Sequence, residues 1–374
     1  MLTLSISIVN LQFAVPGARE LHLHLPFADR NIPVMPEAAP SIVVGLNAVI
    51  IALTDGQPRV LTVSLPEWTP IEGGVQADGT DDRRRVEALP TGPLDPAGDR
   101  TLELALRRWV RTYTGLDIGY VEQLYTFGDR YRDPREKAGG PRVVSAAYLA
   151  LVRESQPATG LAARWRSVYR FLPWEDWRNG RPPLIDAHIT PVLNSWIDAA
   201  GDPRTRQARR VRAAVSFGFG GSRWDGERVL ERFELLYELG LAAESLRNGP
   251  EGGDPAAHDE LRAASGPEMA FDHRRILATA LGRIRAKIRY RPVIFELVPD
   301  EFTLLQLQRA TEALAGVLLH KQNFRRLVEQ GGLVEGTGRH DNQTGGRPAE
   351  LFRFRREVLL ERPAPGVGLP TARR

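Results

Sequence analysis

The chain has 374 residues, of which 42% are hydrophobic and 26% charged, with a net charge of +4 and no cysteine. That composition is of the globular kind and leaves room for two or three domains. Without cysteine, disulfides, thiolate metal sites and cysteine nucleophiles are excluded, and a reducing cytoplasmic location is expected.

Residues 1–40 mix short strand-like runs with prolines and have no assignable role. His22 and His24 form a His-x-His pair that reads either as two metal ligands or as one face of an exposed strand. No secretory leader is read here, because a basic start followed by a cleavage motif is lacking. The longest apolar run, Val43–Leu53, is too short to span a bilayer and contains Asn47, so no membrane partner is expected.

Ser41–Leu53 reads as a strand rich in Val and Ile. Asp55-Gly56 is a turn into a second strand at Arg59–Val63. Pro66–Pro90 is polar and loop-like. Leu102–Thr114 is amphipathic, with Leu102, Leu106, Trp109 and Val110 on one face and Gly115 as its stop. Strands follow at Gly119–Phe127 and Arg142–Val152. Residues 154–225 read as an insertion. Leu161–Leu172 suggests a helix, Trp174–Trp177 an aromatic turn, and Pro182-Pro183 a break. An amphipathic helix is expected at Trp224–Leu246. Asn248–Gly266 lacks periodicity and is rich in Gly, Pro and Ala, which makes 248–267 a linker. Gly218-Phe219-Gly220-Gly221 lacks the Lys-Ser/Thr of a phosphate loop and reads as a tight turn.

Residues 268–358 form a winged-helix unit, followed by a flexible tail at 359–374. Thr303 and Gln306 make a capping box, with Phe302 and Leu307 as the hydrophobic staple, so a helix starts near residue 304 and stops at Gly316. A second helix at 321–330 turns Phe324, Leu327 and Val328 inward and leaves Lys321, Gln322, Arg325 and Arg326 outside. That is the chemistry of a recognition helix, which meets base edges and phosphates with Arg, Lys, Asn and Gln. Two apolar stretches, Leu333-Val334 and Leu351–Phe354, flank a polar glycine-rich tip at Gly336–Gly346. This predicts a wing carrying Arg339, His340, Asn342, Gln343 and Arg347. Residues 268–358 hold sixteen Lys/Arg against eleven Asp/Glu, a net of +5. The last sixteen residues add +2, leaving about −3 for residues 1–267. The positive charge is thus concentrated where phosphate contact requires it. A solvated basic helix pair is the alternative reading.

The helix at 102–114 ends Arg108-Trp109-Val110-Arg111-Thr112-Tyr113-Thr114-Gly115-Leu116, which resembles the tail of a Nudix box. Arg108, Val110, Gly115 and Leu116 match. Trp109, Thr112 and Tyr113 stand where the box has glutamates, Arg100 takes the remaining one, and Gly92 and Gly98 do not keep the spacing. Those carboxylates hold the divalent cation that polarises the pyrophosphate, and Trp, Thr and Tyr cannot. Gly119–Asp129, Asp133-Pro134-Arg135, Val143–Leu149, Arg275–Lys287, Asn323-Phe324-Arg325-Arg326 and Gly346-Arg347-Pro348-Ala349 extend the likeness. Together these stretches resemble the Nudix-related transcriptional regulators of NAD metabolism, of NrtR type, over about 41–153 and 268–358.

The resemblance implies an α/β (α+β) chain. A Nudix-like α/β/α sandwich with a mixed sheet at 41–247 would carry the insertion, joined to a C-terminal winged helix-turn-helix. It also implies a homodimeric repressor, with no catalytic residues, metal or cofactor, whose partners are a double-stranded DNA operator and an ADP-ribose-like effector. Lys321, Gln322, Asn323, Arg325, Arg326 and Arg347 would contact DNA. Asn323 also reads as a cap between helices, and Arg326 as a surface residue paired with Glu329. Arg83, Arg84, Arg108 and Tyr113 would contact effector, although Arg83 and Arg84 also read as a solvated strand edge, Arg108 as a loop buttress and Tyr113 as a core residue. Trp174 and Trp177 fit an aromatic clamp or packing of the insertion. The rival is a Nudix-type nucleoside-diphosphate hydrolase using Asp99 and Glu103.

Overall fold

The computed structural model describes residues 42–66, 68–71, 74–77, 85–153, 163–248, 262, 264–341, 348–361 and 366–367. His22, His24, Arg83, Arg84, Asn342, Gln343 and Arg347 lie outside them.

Strands β1 (Ile42–Thr54) and β2 (Gln57–Pro66) form the expected hairpin. Its turn places Asp55 and Gly56 at φ 50° and 70°, the left-handed pair that matches strand twist. Pro66–Pro90, expected to be a loop, contains a small hairpin of β3 (Trp68–Ile71) and β4 (Gly74–Ala77) and then β5 (Arg85–Ala88). Arg85 and Glu87 lie on the edge strand β5, and polarity alone does not separate an edge strand from a loop. β6 (Thr91–Pro93) leads into α1 (Leu102–Thr114). Thr101 accepts from the Leu104 amide at the start of α1, and Gly115 ends it at φ 71°. β7 (Tyr120–Phe127) and β8 (Arg142–Leu151) follow as expected.

The segment 161–172 departs from the expected helix. Its first half is a strand, β9 (Ala163–Ser167), antiparallel to β2, and only α2 (Val168–Phe171) is helical. Alternation of Arg164, Trp165 and Arg166 fits period two, and pairing with β2 supplies the partner that the chain itself does not announce. The insertion continues with α3 (Thr190–Asp198) and α4 (Pro203–Phe217). The helix expected at 224–246 shrinks to α5 (Val229–Glu238) and a short α6 (Glu244–Asn248), separated by Gly240 at φ 74°. Trp224 is held outside α5 by its ring stack on Trp177, with centroids 4.3 Å apart. Gly218, Gly220 and Gly221 all have positive φ, a turn, as read. Then come α7 (His273–Ile288), α8 (Leu304–Ala315), α9 (Lys321–Gln330), β10 (Val334–Asp341), β11 (Ala349–Phe354) and α10 (Val358–Glu361).

The main sheet runs β5-β2-β1-β8-β7, with β6 on β1 and β9 on β2; β1 and β8 are parallel and their neighbours antiparallel. It is a mixed sheet with two covered faces. Leu46, Ala48 and Ile50 of β1, with Ala146, Tyr148 and Ala150 of β8, pack with Leu106, Trp109 and Val110 of α1. The alternate residues Val49, Ile51, Ala147, Leu149 and Leu151 face a second core that includes Ile276, Leu277 and Ile284 of α7. This is the expected α/β/α sandwich.

Helix α7 has a dual position. It covers the sheet, touching β1 and β7, and also packs on α8 of the winged helix. Its first residue, His273, lies 2.9 Å from the buried Asn47 amide through Nε2, and its Nδ1 accepts from the Leu89 amide at 3.0 Å. One apolar core therefore runs from the sheet into Leu307, Phe324 and Val328. Of the segment read as a linker, only its ends are described. There Gly266 lies so close to the Arg170 carbonyl that a Cβ would stand 2.4 Å from it. No helix among the described residues is long and apolar enough to cross a membrane.

Candidate nucleic-acid interface

The C-terminal helices are built as the sequence predicts. Thr303 Oγ1 accepts from the Gln306 amide at 3.2 Å, and Gln306 Oε1 accepts from the Thr303 amide at 2.7 Å, which completes the capping box. Phe302 and Leu307 are both buried beneath it. Gly316 closes α8 at φ 70°. The turn into α9 is fixed from within α8. Glu312 Oε1 accepts from the Leu319 amide at 2.8 Å and from Gln308 Nε2 at 2.9 Å, while Gln308 also donates to the Leu319 carbonyl at 2.9 Å. Sequence reading did not single out this i,i+4 Gln/Glu pair.

Phe324 and Val328 anchor α9 in the core, and Leu327 is only half-buried. Lys321, Gln322, Arg325 and Arg326 are exposed, and their side chains make no hydrogen bond or ion pair among the described residues. Asn323 is half-buried, and its side chain makes no hydrogen bond among the described residues. Arg326 and Glu329 do not pair. The geometry thus gathers three cations and an amide on the solvent side of one short helix, on a base held by buried rings.

The wing is an antiparallel pair, β10 with β11, in register Val334↔Phe354 and Asp341↔Ala349 with an irregularity between Gly336 and His340. Its strand runs on to Asp341, so much of the segment expected as a flexible tip is ladder. Phe302 adds a short third strand through mutual backbone bonds with Phe352 at 3.0 and 2.8 Å. Phe295 stacks on Phe354 at 4.3 Å below it. Arg339 is ion-paired with Glu301, and His340 is exposed.

Sequence reading missed the joint that holds α8 against the insertion. Glu175, fully buried, accepts from Arg232 Nε at 2.5 Å and from Arg285 Nη1 at 2.5 Å. Arg285 also donates to the Leu314 carbonyl at 3.0 Å, and Tyr169 Oη donates to the Ala313 carbonyl at 2.6 Å. The Trp177 amide donates to the Gly316 carbonyl at 2.7 Å. The carbonyls at the end of α8 are thereby satisfied by residues of the sandwich and insertion. Trp174 is wholly buried and Trp177 packs on Trp224, so neither forms an open clamp.

Burial alone would raise the Glu175 carboxyl, but the two guanidiniums hold it below the usual carboxylate range. A depressed folded-state pKa contributes stability above the unfolded value, and that stability is lost as pH falls through the folded value. Stability should therefore hold down to about pH 4, the unfolded glutamate value, and fall below it. Urea midpoints measured against pH test this; a midpoint flat through that acid range would contradict it.

At the degenerate box, Trp109 stands at a glutamate position and is core: a Cβ on Gly92 would meet its indole Nε1 at 2.2 Å. Arg108 is exposed and bonds Asp99 through Nε at 3.0 Å and Nη2 at 2.7 Å, bracing the loop before α1. Asp99 also accepts from the Asp95 amide at 2.9 Å, and this bond, with Arg108, lowers its pKa. Glu103 bonds Arg107 at 2.9 Å. Both acids of the hydrolase reading are thus engaged by arginines, and the donor set does not fit a divalent cation. Among the described residues no three His, Asp or Glu side chains group to hold a metal. The Tyr113 side chain lies outside the described residues.

Residues 294–354 match the family described as the NrtR DNA-binding winged helix domain. Over 87 residues the chain is 40% identical to the ADPR responsive transcriptional repressor NtrR of Acinetobacter baylyi, covering 23% of this chain and 34% of that protein. The chain thus spans about a third of the length of this curated relative. Among solved structures, Shewanella oneidensis NrtR complexed with a 27mer DNA is 21% identical with a TM-score of 0.48, covering 84% of this chain and 94% of that one. A MutT/nudix family protein from Enterococcus faecalis is 16% identical with a TM-score of 0.45, covering 86% and 89%. Residues 294–354 thus match the NrtR DNA-binding winged helix domain, and in this chain they follow a mixed-sheet α/β/α sandwich.

Proposed function

We propose that the chain is a DNA-binding transcriptional repressor whose sandwich domain senses ADP-ribose or a related nucleotide sugar without hydrolysing it. The observation that carries this reading is α9, where Lys321, Gln322, Arg325 and Arg326 stand exposed on a packed base with no side-chain partner among the described residues. Exposed, unpaired guanidiniums retain their capacity for guanine edges and phosphates. In a homodimer, each protomer would place α9 in one major groove of a near-palindromic operator, with half-sites about one helical turn apart. Arg347 would reach phosphate or the minor groove from the wing. The winged-helix match and the name of the Acinetobacter relative support the operator and the effector class.

The effector residues are assigned by resemblance: Arg83, Arg84 and Tyr113, with Arg108 acting by holding the Asp99 loop. Effector binding would shift the balance between two placements of the paired winged helices, which requires different affinity for each. The cytoplasm is the expected location. Engagement of Asp99 and Glu103 by arginines disfavours the hydrolase alternative.

Thermal unfolding with ADP-ribose, paired with a magnesium-dependent hydrolysis assay, separates the readings. Saturating ligand at about 100 times Kd should stabilise the protein by about 2.7 kcal/mol with negligible turnover. Sustained release of AMP would instead establish the enzyme.

A further inference from the structure

We propose that α4, in the insertion, is a second DNA-contacting surface that grips phosphates outside the segment read by α9. The inference rests on the DNA-binding reading above. Helix α4 carries Arg204, Arg206, Arg209, Arg210 and Arg212 and no acid across fifteen residues. It is almost wholly solvated, with only Ala213, Ser216 and Phe217 buried. Packing therefore does not explain its composition. Helix stability does not explain it either: Arg204 and Arg206 sit in the first turn, where the helix dipole disfavours cations. The nearby Asp202 is committed to the N-cap, accepting from the Thr205 amide at 2.9 Å.

The arginines divide into two groups. Arg209 lies over the Trp196 ring at 5.0 Å and donates to the Trp196 carbonyl at 2.5 Å. Arg212 pairs with Glu238 at 2.6 Å, and Arg206 donates to the Ala200 carbonyl at 3.3 Å. These three hold the helix in place. Arg204 and Arg210 are exposed and make no side-chain bond among the described residues.

The C-terminal end of α4 is also tied, through a chain of contacts, to the start of the α8–α9 connection. Its last residue, Phe217, packs on Trp224 at 6.4 Å, Trp224 stacks on Trp177 at 4.3 Å, and the Trp177 amide bonds Gly316, where the connection to α9 begins. From that anchor α4 extends about 22 Å at 1.5 Å per residue, roughly two-thirds of a turn of duplex. A second copy of this chain is a poor occupant, because a two-fold interface would bring the same cationic patch against itself. Duplex DNA offers the complementary charge.

The test is fluorescence anisotropy of the full chain on a fluorescein-labelled random-sequence duplex of about 60 base pairs, long enough to extend beyond one pair of half-sites. Salt is varied between about 50 and 200 mM. Arg204→Gln with Arg210→Gln should lower the slope of log affinity against log salt by about 1.8 for each bound protomer, one counterion contribution per lost phosphate contact. Across that salt range the wild-type affinity would then fall roughly tenfold further than the variant's for each bound protomer. Arg204→Lys with Arg210→Lys should keep the wild-type slope, since a phosphate needs only the charge. An unchanged slope in the Gln variant, alongside lost binding in Arg325→Ala with Arg326→Ala, overturns this inference and leaves the winged-helix reading intact. That is also the outcome if α4 serves an acidic protein. Unchanged slopes in both variants overturn the two together.

Discussion

Replacing Arg285 by methionine is expected to destabilise the protein by about 3–5 kcal/mol, the range for breaking a buried ion pair from one side. The guanidinium is 2% exposed and its partner Glu175 0% exposed, so no water can take over either role. Methionine fills part of the volume but leaves Glu175 with Arg232 alone. It also strips donors from the carbonyls of Leu314, Glu175 and Gly226. Each buried acceptor left open adds to the cost. Arg289→Met is the internal control. Its pair with Glu227 is also short, 2.6 Å, but lies open at 54% and 37% exposure and should contribute at most about 1 kcal/mol. Urea unfolding of the two variants gives the comparison. Similar midpoints would mean that the buried joint does not hold α8 to the sandwich.

Arg325→Ala with Arg326→Ala is expected to leave the fold intact and remove DNA binding. Both side chains are exposed and have no partner among the described residues, so stability should change by no more than about 0.5 kcal/mol. A well-placed arginine contributes about 1–3 kcal/mol at a base edge, so two per protomer should cost about 2–6 kcal/mol, roughly thirtyfold or more in affinity. Anisotropy on an operator-bearing duplex at moderate salt reads this directly. Wild-type affinity in the double variant would place the DNA contact elsewhere on the chain.

The sequence was most informative where local chemistry specifies structure. The Thr303/Gln306 box, the Gly316 and Gly115 stops and the Asp55-Gly56 turn each act within a few residues, and their elements formed where expected. It was least informative where a distant partner decides. Ala163–Ser167 becomes a strand because β2 offers an edge about a hundred residues earlier. The shortened α5 reflects Trp224 being drawn onto Trp177. The Arg-rich α4 lacks an apolar period, so its helix signals were confined to propensity, the Asp202-Pro203 start and the Gly218 stop. Glu175 and Arg285, 110 positions apart, have no local signature as a pair. Within the interface, the exposed face of α9 could be read from i, i+3, i+4 spacing, whereas the bonds from Gln308 and Glu312 that aim it could not. Arg339 is expected on the wing, but its pairing with Glu301 depends on how the hairpin folds back over the start of α8.

One molecule must both hold DNA through α9 and release it when a nucleotide sugar binds the sandwich. The most direct measurement is a gel shift of the full chain on DNA from upstream of its own coding sequence, with and without ADP-ribose. The account predicts a retarded complex that ADP-ribose dissolves and that Arg325→Ala with Arg326→Ala never forms. A complex equally stable with and without ADP-ribose, or formed equally well by that variant, would contradict it.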